Sequence, residues 1–454
     1  MYHNCVERPL KIFFSGIAGS GVSAIADFMS QRGNSISGSD RAFDMNPDHF
    51  LKKFFLSRGF TLFPQDGSGL DRSIDLAVFS TAVESVHPEA LRAQELAIPC
   101  KTRPEYLAEI TGSFRTIAVA GTSGKSTSSG MLAYLMKELG LSPNFIGGGG
   151  VKSLQKDGSR GNALSGSSDF LVIEACESDG SIIHYTPEVS LFLNLAFDHH
   201  SVEKTAEMFQ VLMGKTKKSI IMNADDSNLT ALSGKNRIPF SLYADSQYRA
   251  CDIDQKDFSS EFTVNDVRFT LNLPGQFNIY NALSCIAVLS EIDIDLRMIA
   301  DALPGFQGIE RRFDVHVNDG QRLVIDDYAH NPHKIAALMD TTKNLRDRIC
   351  YIFQPHGFGP TRMMKNEYIN TFADNLRPLD HLILLPIFYA GGSVRRDISS
   401  EDLAEGIRTR GKSAEVIEKR EEILRRSDDW DNYVILGARD DTLADFAKKM
   451  ATAF

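Results

Sequence analysis

A lysine and two hydroxyls follow a pair of glycines in the stretch VAGTSGKSTSSG, residues 119–130. Gly121 and Gly124 keep the backbone open, with Thr122 and Ser123 between them. Lys125 can supply a point charge to the β- and γ-phosphates of a nucleotide. Ser126 or Thr127 can give a hydroxyl to Mg²⁺. A phosphate-binding loop of the common G-x-x-x-x-G-K-[ST] spelling would have a glycine at position 119, where Val119 stands. Carboxylates and imidazoles follow at two later strand ends. Glu174 and Glu177 lie in VIEACESDGS, and Asp198, His199 and His200 in NLAFDHHS. A carboxylate in such a place binds Mg²⁺ directly or through water. The histidines become metal or phosphate contacts if the fold brings them to the loop.

Other stretches carry weaker chemistry. GIAGSGVSAIA sets Gly16, Gly19 and Gly21 between a strand and a helix, where free N–H groups favour a diphosphate. Asp40 ends the next strand, about where an acidic ribose contact lies in a dinucleotide fold. Asn278 and Asn281 open a helix in LPGQFNIYNALSCIAVL, a position that also suits capping. GIERRFD offers two arginines whose forks fit phosphate oxygens or a surface ion pair. VIDDYAHNPHKI and IFQPHGFGPTR put polar groups at the ends of late strands.

Positioning these groups requires alternating strands and helices, and the chain supplies them. Short β-branched runs alternate with longer helical patterns, which indicates parallel α/β sheets. Three blocks are expected. The first covers residues 1–111. Its strand LKIFFSG leads into a helix GVSAIADFMSQRG with Val22, Ile25, Ala26 and Met29 on one face. The second, 112–311, holds the glycine-lysine loop and a β-rich excursion over about 238–273, ending in a hairpin with an Asn-Asp turn. The third, 312–454, carries four strands ending in polar or glycine residues, where open α/β sheets bind ligands.

The chain has 454 residues and a net charge of −10, which argues against a nucleic-acid partner. Its six cysteines form no C-x-x-C pair and fit reduced thiols better than disulfides or a zinc site. The N-terminus breaks quickly into glycines, unlike a signal peptide, and no stretch reaches the roughly 20 apolar residues of a membrane span. The expectation is a cytoplasmic α/β protein with no membrane partner.

In order along the chain stand G-x-x-G-K-S-T, E-x-x-E-S-D, N-x-x-x-D-H, G-x-x-N-x-x-N-A, R-R-F-D, D-D-Y-A-H and F-Q-P-H. In this combination the sequence resembles the Mur ligases, ATP-dependent amide-forming enzymes of peptidoglycan synthesis, from Lys11 to about Ala444. The shortened loop is the usual spelling in that family. The resemblance implies three α/β domains: an N-terminal Rossmann-like domain, a central P-loop ATPase-like parallel sheet and a C-terminal Rossmann-like domain. They would bind the UDP-sugar nucleotide, ATP with Mg²⁺, and the amino acid, in a monomer or weak homodimer. Within the family the likeness is to the alanine-adding branch, which joins the lactoyl carboxylate of UDP-N-acetylmuramate to L-alanine through an acyl phosphate.

By the same resemblance Lys125 would stabilise the transferring γ-phosphate within the 121–127 loop. Ser126, Glu177 and His199 would hold Mg²⁺. Asn278 would contact adenine, and Arg312 and Asp327 would engage ATP. Gly16, Gly19, Gly21, Asp40, Ser80 and Thr81 would hold the sugar nucleotide. Tyr328, His330, His356 and Arg362 would lie at the amino-acid pocket. The carbamoylated lysine of some relatives would fall near Met208 or Phe209, and Lys215 lies too far along to replace it.

The chain departs from the family pattern on the substrate side. Ser123 replaces a histidine, Asn331 replaces another, and Phe277 precedes Asn278 where a histidine is usual. Gly357 and Pro360 stand where the family has arginines, and only Arg362 remains; a lost arginine removes a bidentate carboxylate partner. The ATP side keeps its charges. This pattern implies a working ATP-driven ligase, either alanine-adding or a paralogue with another donor or acceptor, such as a peptide-adding recycling ligase.

Overall fold

The structure, a computed structural model, describes residues 8–155, 159–198, 200–389 and 395–453. Residues up to Gln307 form one compact unit and those from Gly308 a second. The first unit holds three sheets and the second holds one.

The first sheet contains β1 (Lys11–Ser15), β2 (Ser35–Ser39), β3 (Thr61–Phe63), β4 (Leu76–Phe79) and β5 (Cys100–Thr102), all parallel in the order β3-β2-β1-β4-β5. Ile12, Phe13 and Phe14 of β1 are each fully buried. Helices on both faces explain that unbroken apolar run. The order reverses beside β1, so a crevice opens at the carboxyl ends of β1 and β4.

The second sheet is built from β6 (Arg115–Ala120), β7 (Asn144–Ile146), β8 (Ala163–Leu164), β9 (Phe170–Glu174), β10 (Val189–Phe192), β11 (Ser219–Asn223), β12 (Arg237–Ser241) and β13 (Tyr248–Arg249). Its order is β13-β12-β11-β10-β6-β9-β7-β8, with β8 antiparallel to β7. The expected β-rich excursion is therefore shorter than its sequence suggests. β12 and β13 extend the main sheet in parallel, and only β14 (Cys251–Gln255), β15 (Ser260–Val264) and β16 (Val267–Leu271) form a separate antiparallel sheet. Its hairpin turns through Asn265 and Asp266, both at positive φ (45° and 64°), as the Asn-Asp reading requires.

The helix Ser20–Gln31 buries more than the one face expected of it, every residue from Val22 to Phe28 included. It packs against the first sheet and also against β7 and β8. Gln31 accepts from the Ser165 N–H at 3.0 Å, and Arg103 forms an ion pair with Asp179. These contacts join the first two sheets into one unit.

The second unit contains β17 (Asp314–Asn318), β18 (Leu323–Asp327), β19 (Cys350–Gln354), β20 (His381–Leu384), β21 (Ala414–Val416) and β22 (Asn432–Gly437). Their order is β17-β18-β22-β19-β20-β21, and only β17 runs antiparallel. The last strand of the chain thus lies between β18 and β19. Among the described residues no helix is long and apolar enough to cross a membrane.

Arg311 and Asp326 form a buried pair in this unit (Nε to Oδ2, 3.1 Å), and Arg311 also donates to the carbonyls of Gly437 and Asp440. Burial raises the Asp326 carboxyl from 3.8 to about 6, although Arg311 opposes the shift. A carboxyl that binds its proton more tightly when folded stabilises the fold fully below its unfolded pKa. That contribution disappears as the pH rises through about 6. Trp430, the single tryptophan, reports on this unit. Its unfolding free energy in urea should fall between pH 4 and 6.5, and Asp326→Asn should flatten that fall. An unchanged slope in the variant would overturn this assignment.

Candidate active site

The glycine-lysine loop leaves the carboxyl end of β6 and runs into the helix Lys125–Glu138. β9 and β10 flank β6, so Glu174 and Asn194 arrive beside the loop from either side. Asn194 grips Ser123 by its backbone: its Oδ1 accepts from the Ser123 N–H at 2.8 Å and its Nδ2 donates to the Ser123 carbonyl at 3.0 Å. Thr122 exchanges hydrogen bonds with the backbone of Ala196. Thr127 is buried.

Gly124 adopts φ +86°, and a Cβ there would lie 2.5 Å from Asn281 Oδ1. Asn281 belongs to the helix Gln276–Ser290, which packs along the Lys125–Glu138 helix, and its Oδ1 accepts from Ser128 Oγ at 3.2 Å. Asn278 is buried one turn earlier and donates to the Pro274 carbonyl at 2.8 Å. Neither asparagine caps the helix, because Gly275 holds that place.

The loop's charges converge. Lys125 Nζ lies 2.9 and 3.2 Å from the two oxygens of Glu177 and 2.5 Å from the Gly121 carbonyl. Burial disfavours the ammonium, but the Glu177 carboxylate outweighs it and the pKa lies above the ordinary lysine value. Ser126 Oγ donates to Glu174 Oε2 at 3.0 Å, and the Gly148 N–H donates to Oε1 at 2.6 Å. One ammonium, one hydroxyl and two carboxylates therefore share the end of one sheet. His199 lies outside the described residues. Among the described residues no three or more metal-ligating side chains cluster tightly enough to hold an ion alone. Mg²⁺ suits such a place, because it takes one or two carboxylates and completes its shell with phosphate and water.

At the first sheet, Gly16 ends β1 against Ser80 at the end of β4, where a Cβ on Gly16 would lie 2.8 Å from the Ser80 Cβ. Gly19 starts the helix, and Gly21 lies under the Arg103 side chain. Thr81 is exposed. The Asp40 carboxylate accepts from the N–H groups of Ala18 (2.8 Å) and Ala42 (2.9 Å), so it braces the glycine turn. Fully buried Glu89 accepts from Ser15 Oγ and Ser39 Oγ, tying the ends of β1 and β2 together. Arg103 and Glu89 carry no local sequence signal, because each is defined by partners far along the chain.

In the second unit, Asp327 accepts from the N–H groups of Phe313 (2.6 Å) and Ala329 (2.7 Å). The Arg312 guanidinium lies over the Tyr328 ring, 4.7 Å from its centroid. His330 and His356 are both buried, with ring centroids 4.8 Å apart and edge to face. Asn331 caps the following helix by accepting from the Lys334 N–H. Arg362 is taken up by Asp397, with Nε to Oδ1 at 2.7 Å. Met208 and Phe209 are core residues, and Lys215 Nζ donates to the Ile183 carbonyl.

Comparison with known proteins agrees with this architecture. Three family models match in succession: the Mur ligase family catalytic domain over 11–115, the Mur ligase middle domain over 119–289, and the Mur ligase glutamate ligase domain over 311–439. The chain is 32% identical over 412 residues to a UDP-N-acetylmuramate–L-alanine ligase of Persephonella marina, covering 87% of this chain and 86% of that one. The chain is a Mur ligase. As a member of that family it is an ATP-dependent ligase. Among solved structures, this Mur ligase superposes on a UDP-N-acetylmuramate-alanine ligase from Thermotoga maritima with a TM-score of 0.81 at 25% identity, covering 98% of both chains. It shares its fold with a murein peptide ligase from Psychrobacter arcticus, at a TM-score of 0.70 and 22% identity, again over 98% of both chains. The α/β architecture expected from the sequence, a Rossmann-like sheet, a P-loop sheet and a second Rossmann-like sheet in chain order, is that of this Mur ligase.

Proposed function

We propose that this Mur ligase joins the lactoyl carboxylate of UDP-N-acetylmuramate to L-alanine in the cytoplasm, using ATP and Mg²⁺. The 32% identity to an alanine-adding ligase over 87% of the chain carries this reading. Residues 1–111 take the UDP-sugar, 112–311 take ATP, and 312–454 take the amino acid.

Lys125 binds the γ-phosphate, exchanging its contacts to Glu177 and Gly121 for phosphate oxygens. Ser126 and Glu177, with His199, would hold Mg²⁺, which would supply charge neutralisation of the phosphates. Glu174 fixes the Ser126 hydroxyl. Asn278 lies at the adenine side, and Arg312 and Asp327 engage ATP. The glycine turn Gly16–Gly21, braced by Asp40 and flanked by Ser80 and Thr81, leads into a helix whose first N–H groups, those of Ser20 and Gly21, face the diphosphate. Tyr328, His330 and His356 line the amino-acid pocket. Positioning and charge neutralisation supply most of the rate in such a transfer.

A second reading, a peptide or other acceptor, is favoured by Ser123, Gly357 and Pro360. Phosphate release from ATP, measured with UDP-N-acetylmuramate and a panel of amino acids and peptides, separates the two. L-Alanine should outcompete the rest; a tripeptide that outcompetes L-alanine establishes the second reading.

A further inference from the structure

Among the described residues, a guanidinium at the strand ends of the second unit makes no hydrogen bond or ion pair. Arg439 follows β22, is exposed, and makes no hydrogen bond or ion pair with any described residue. The sheet order places β22 between β18, which leads to Asp327–His330, and β19, which leads to His356 and Gly357. Arg439 therefore emerges between the loops that carry the two buried histidines.

Its surroundings are unusual in two ways. Arg439 holds a left-handed backbone, φ +65°, a conformation that disfavours a side chain and suits glycine. Gly357 has φ +150° and ψ 153°, a region in practice open only to glycine. A side chain cannot project from position 357 on this backbone. The backbone and not crowding sets this limit, because a Cβ built on Gly357 would meet Arg439 Nη1 at 3.7 Å and Pro360 Cδ at 3.6 Å, both ordinary contacts; Arg439 thus lies beside the position that only glycine can fill.

Asp441, two positions on, is exposed, and the other acids nearby are already engaged. Asp440 takes Arg420 and Thr442, Asp326 takes Arg311, and Asp327 takes two backbone N–H groups. Arg362 is held by Asp397. An exposed arginine with no described side-chain partner, at the strand ends that lead to two buried imidazoles, suits an anion that arrives from outside.

We propose that Arg439 binds the carboxylate of the incoming amino acid, in place of an arginine that the backbone at Gly357 excludes. The inference rests on the reading that this unit takes the amino acid. Arg439 is a specificity-determining residue, and its planar fork suits two parallel hydrogen bonds to a carboxylate.

Arg439→Gly is the sharpest test, because it removes the guanidinium and relieves the backbone. The KM of the acceptor should rise on the order of 10- to 100-fold. The KM values for ATP and UDP-N-acetylmuramate should stay within twofold, and Tm should be unchanged or higher. Arg439→Lys should retain most of the defect. The amide of the same acceptor, which lacks the carboxylate, should be used equally by wild type and variant. An acceptor KM within twofold of wild type, or an equal loss for acid and amide, overturns the inference. The acceptor used is whichever compound of the amino-acid and peptide panel the wild type turns over best. If that is not L-alanine, the alanine reading fails while the Arg439 test proceeds on the better acceptor. If nothing is turned over, both fall.

Discussion

Lys125→Ala should lower ATP-driven turnover by about 10³-fold or more, the scale expected when a preorganised cation is removed from a transferring phosphate. The structure adds a second expected effect. Glu177 is 2% exposed, and Lys125 is its salt-bridge partner. Removing one partner of such a pair costs about 3–5 kcal/mol, because a buried charge is left behind. Lys125→Ala should therefore also lower Tm. Lys125→Ala combined with Glu177→Gln separates the two effects: Tm should largely recover and turnover should not. Because Glu177 holds the lysine protonated above its ordinary range, its titration should not shape the pH–rate profile between pH 6 and 9. Turnover within tenfold of wild type in Lys125→Ala would refute the role given to this lysine.

Gly124→Ala should be nearly as damaging, by geometry alone. The φ of +86° costs an alanine about 1–2 kcal/mol. Its Cβ would also meet Asn281 Oδ1 at 2.5 Å and Leu193 Cδ1 at 3.1 Å. The loop must shift, and a shift of about 1 Å at a phosphate site costs on the order of 100-fold in rate. ATP affinity by calorimetry should drop by at least tenfold, together with Tm. Adding Asn281→Ser makes room but leaves the φ strain, so recovery in both readouts should be partial. Full recovery would show that crowding, and not backbone conformation, requires the glycine. Wild-type ATP affinity in the single variant would show that the loop does not bind the triphosphate.

The glycine-lysine loop and the carboxylates beside it were legible because their groups are close together in sequence or end a predicted strand. Gly121 to Thr127 fall within one strand–turn–helix unit, and Glu174 and Glu177 sit where the next parallel strand must end. The residues that hold this loop were less legible. Asn281 meets Ser128 across 153 positions, and Asn194 meets Ser123 across 71. Their side chains fit equally well a helix start or a turn until packing supplies the partner. Arg362 stood out by its place in the segment, but its partner Asp397, 35 positions on, did not.

Sequence alone determined the alternation of strands and helices, the strand–turn–helix setting of the glycine-lysine loop, and the family. Local propensity, hydrophobic period and short motifs express these, and none needs a distant partner. Tertiary structure decided which carboxylate neutralises Lys125, which asparagines clamp the loop, and that β12 and β13 join the main sheet. It also decided that Arg439 meets the Gly357 backbone. That meeting depends on β22 inserting between β18 and β19, a strand order set by how the sheet packs its helices and not by any run of neighbouring residues.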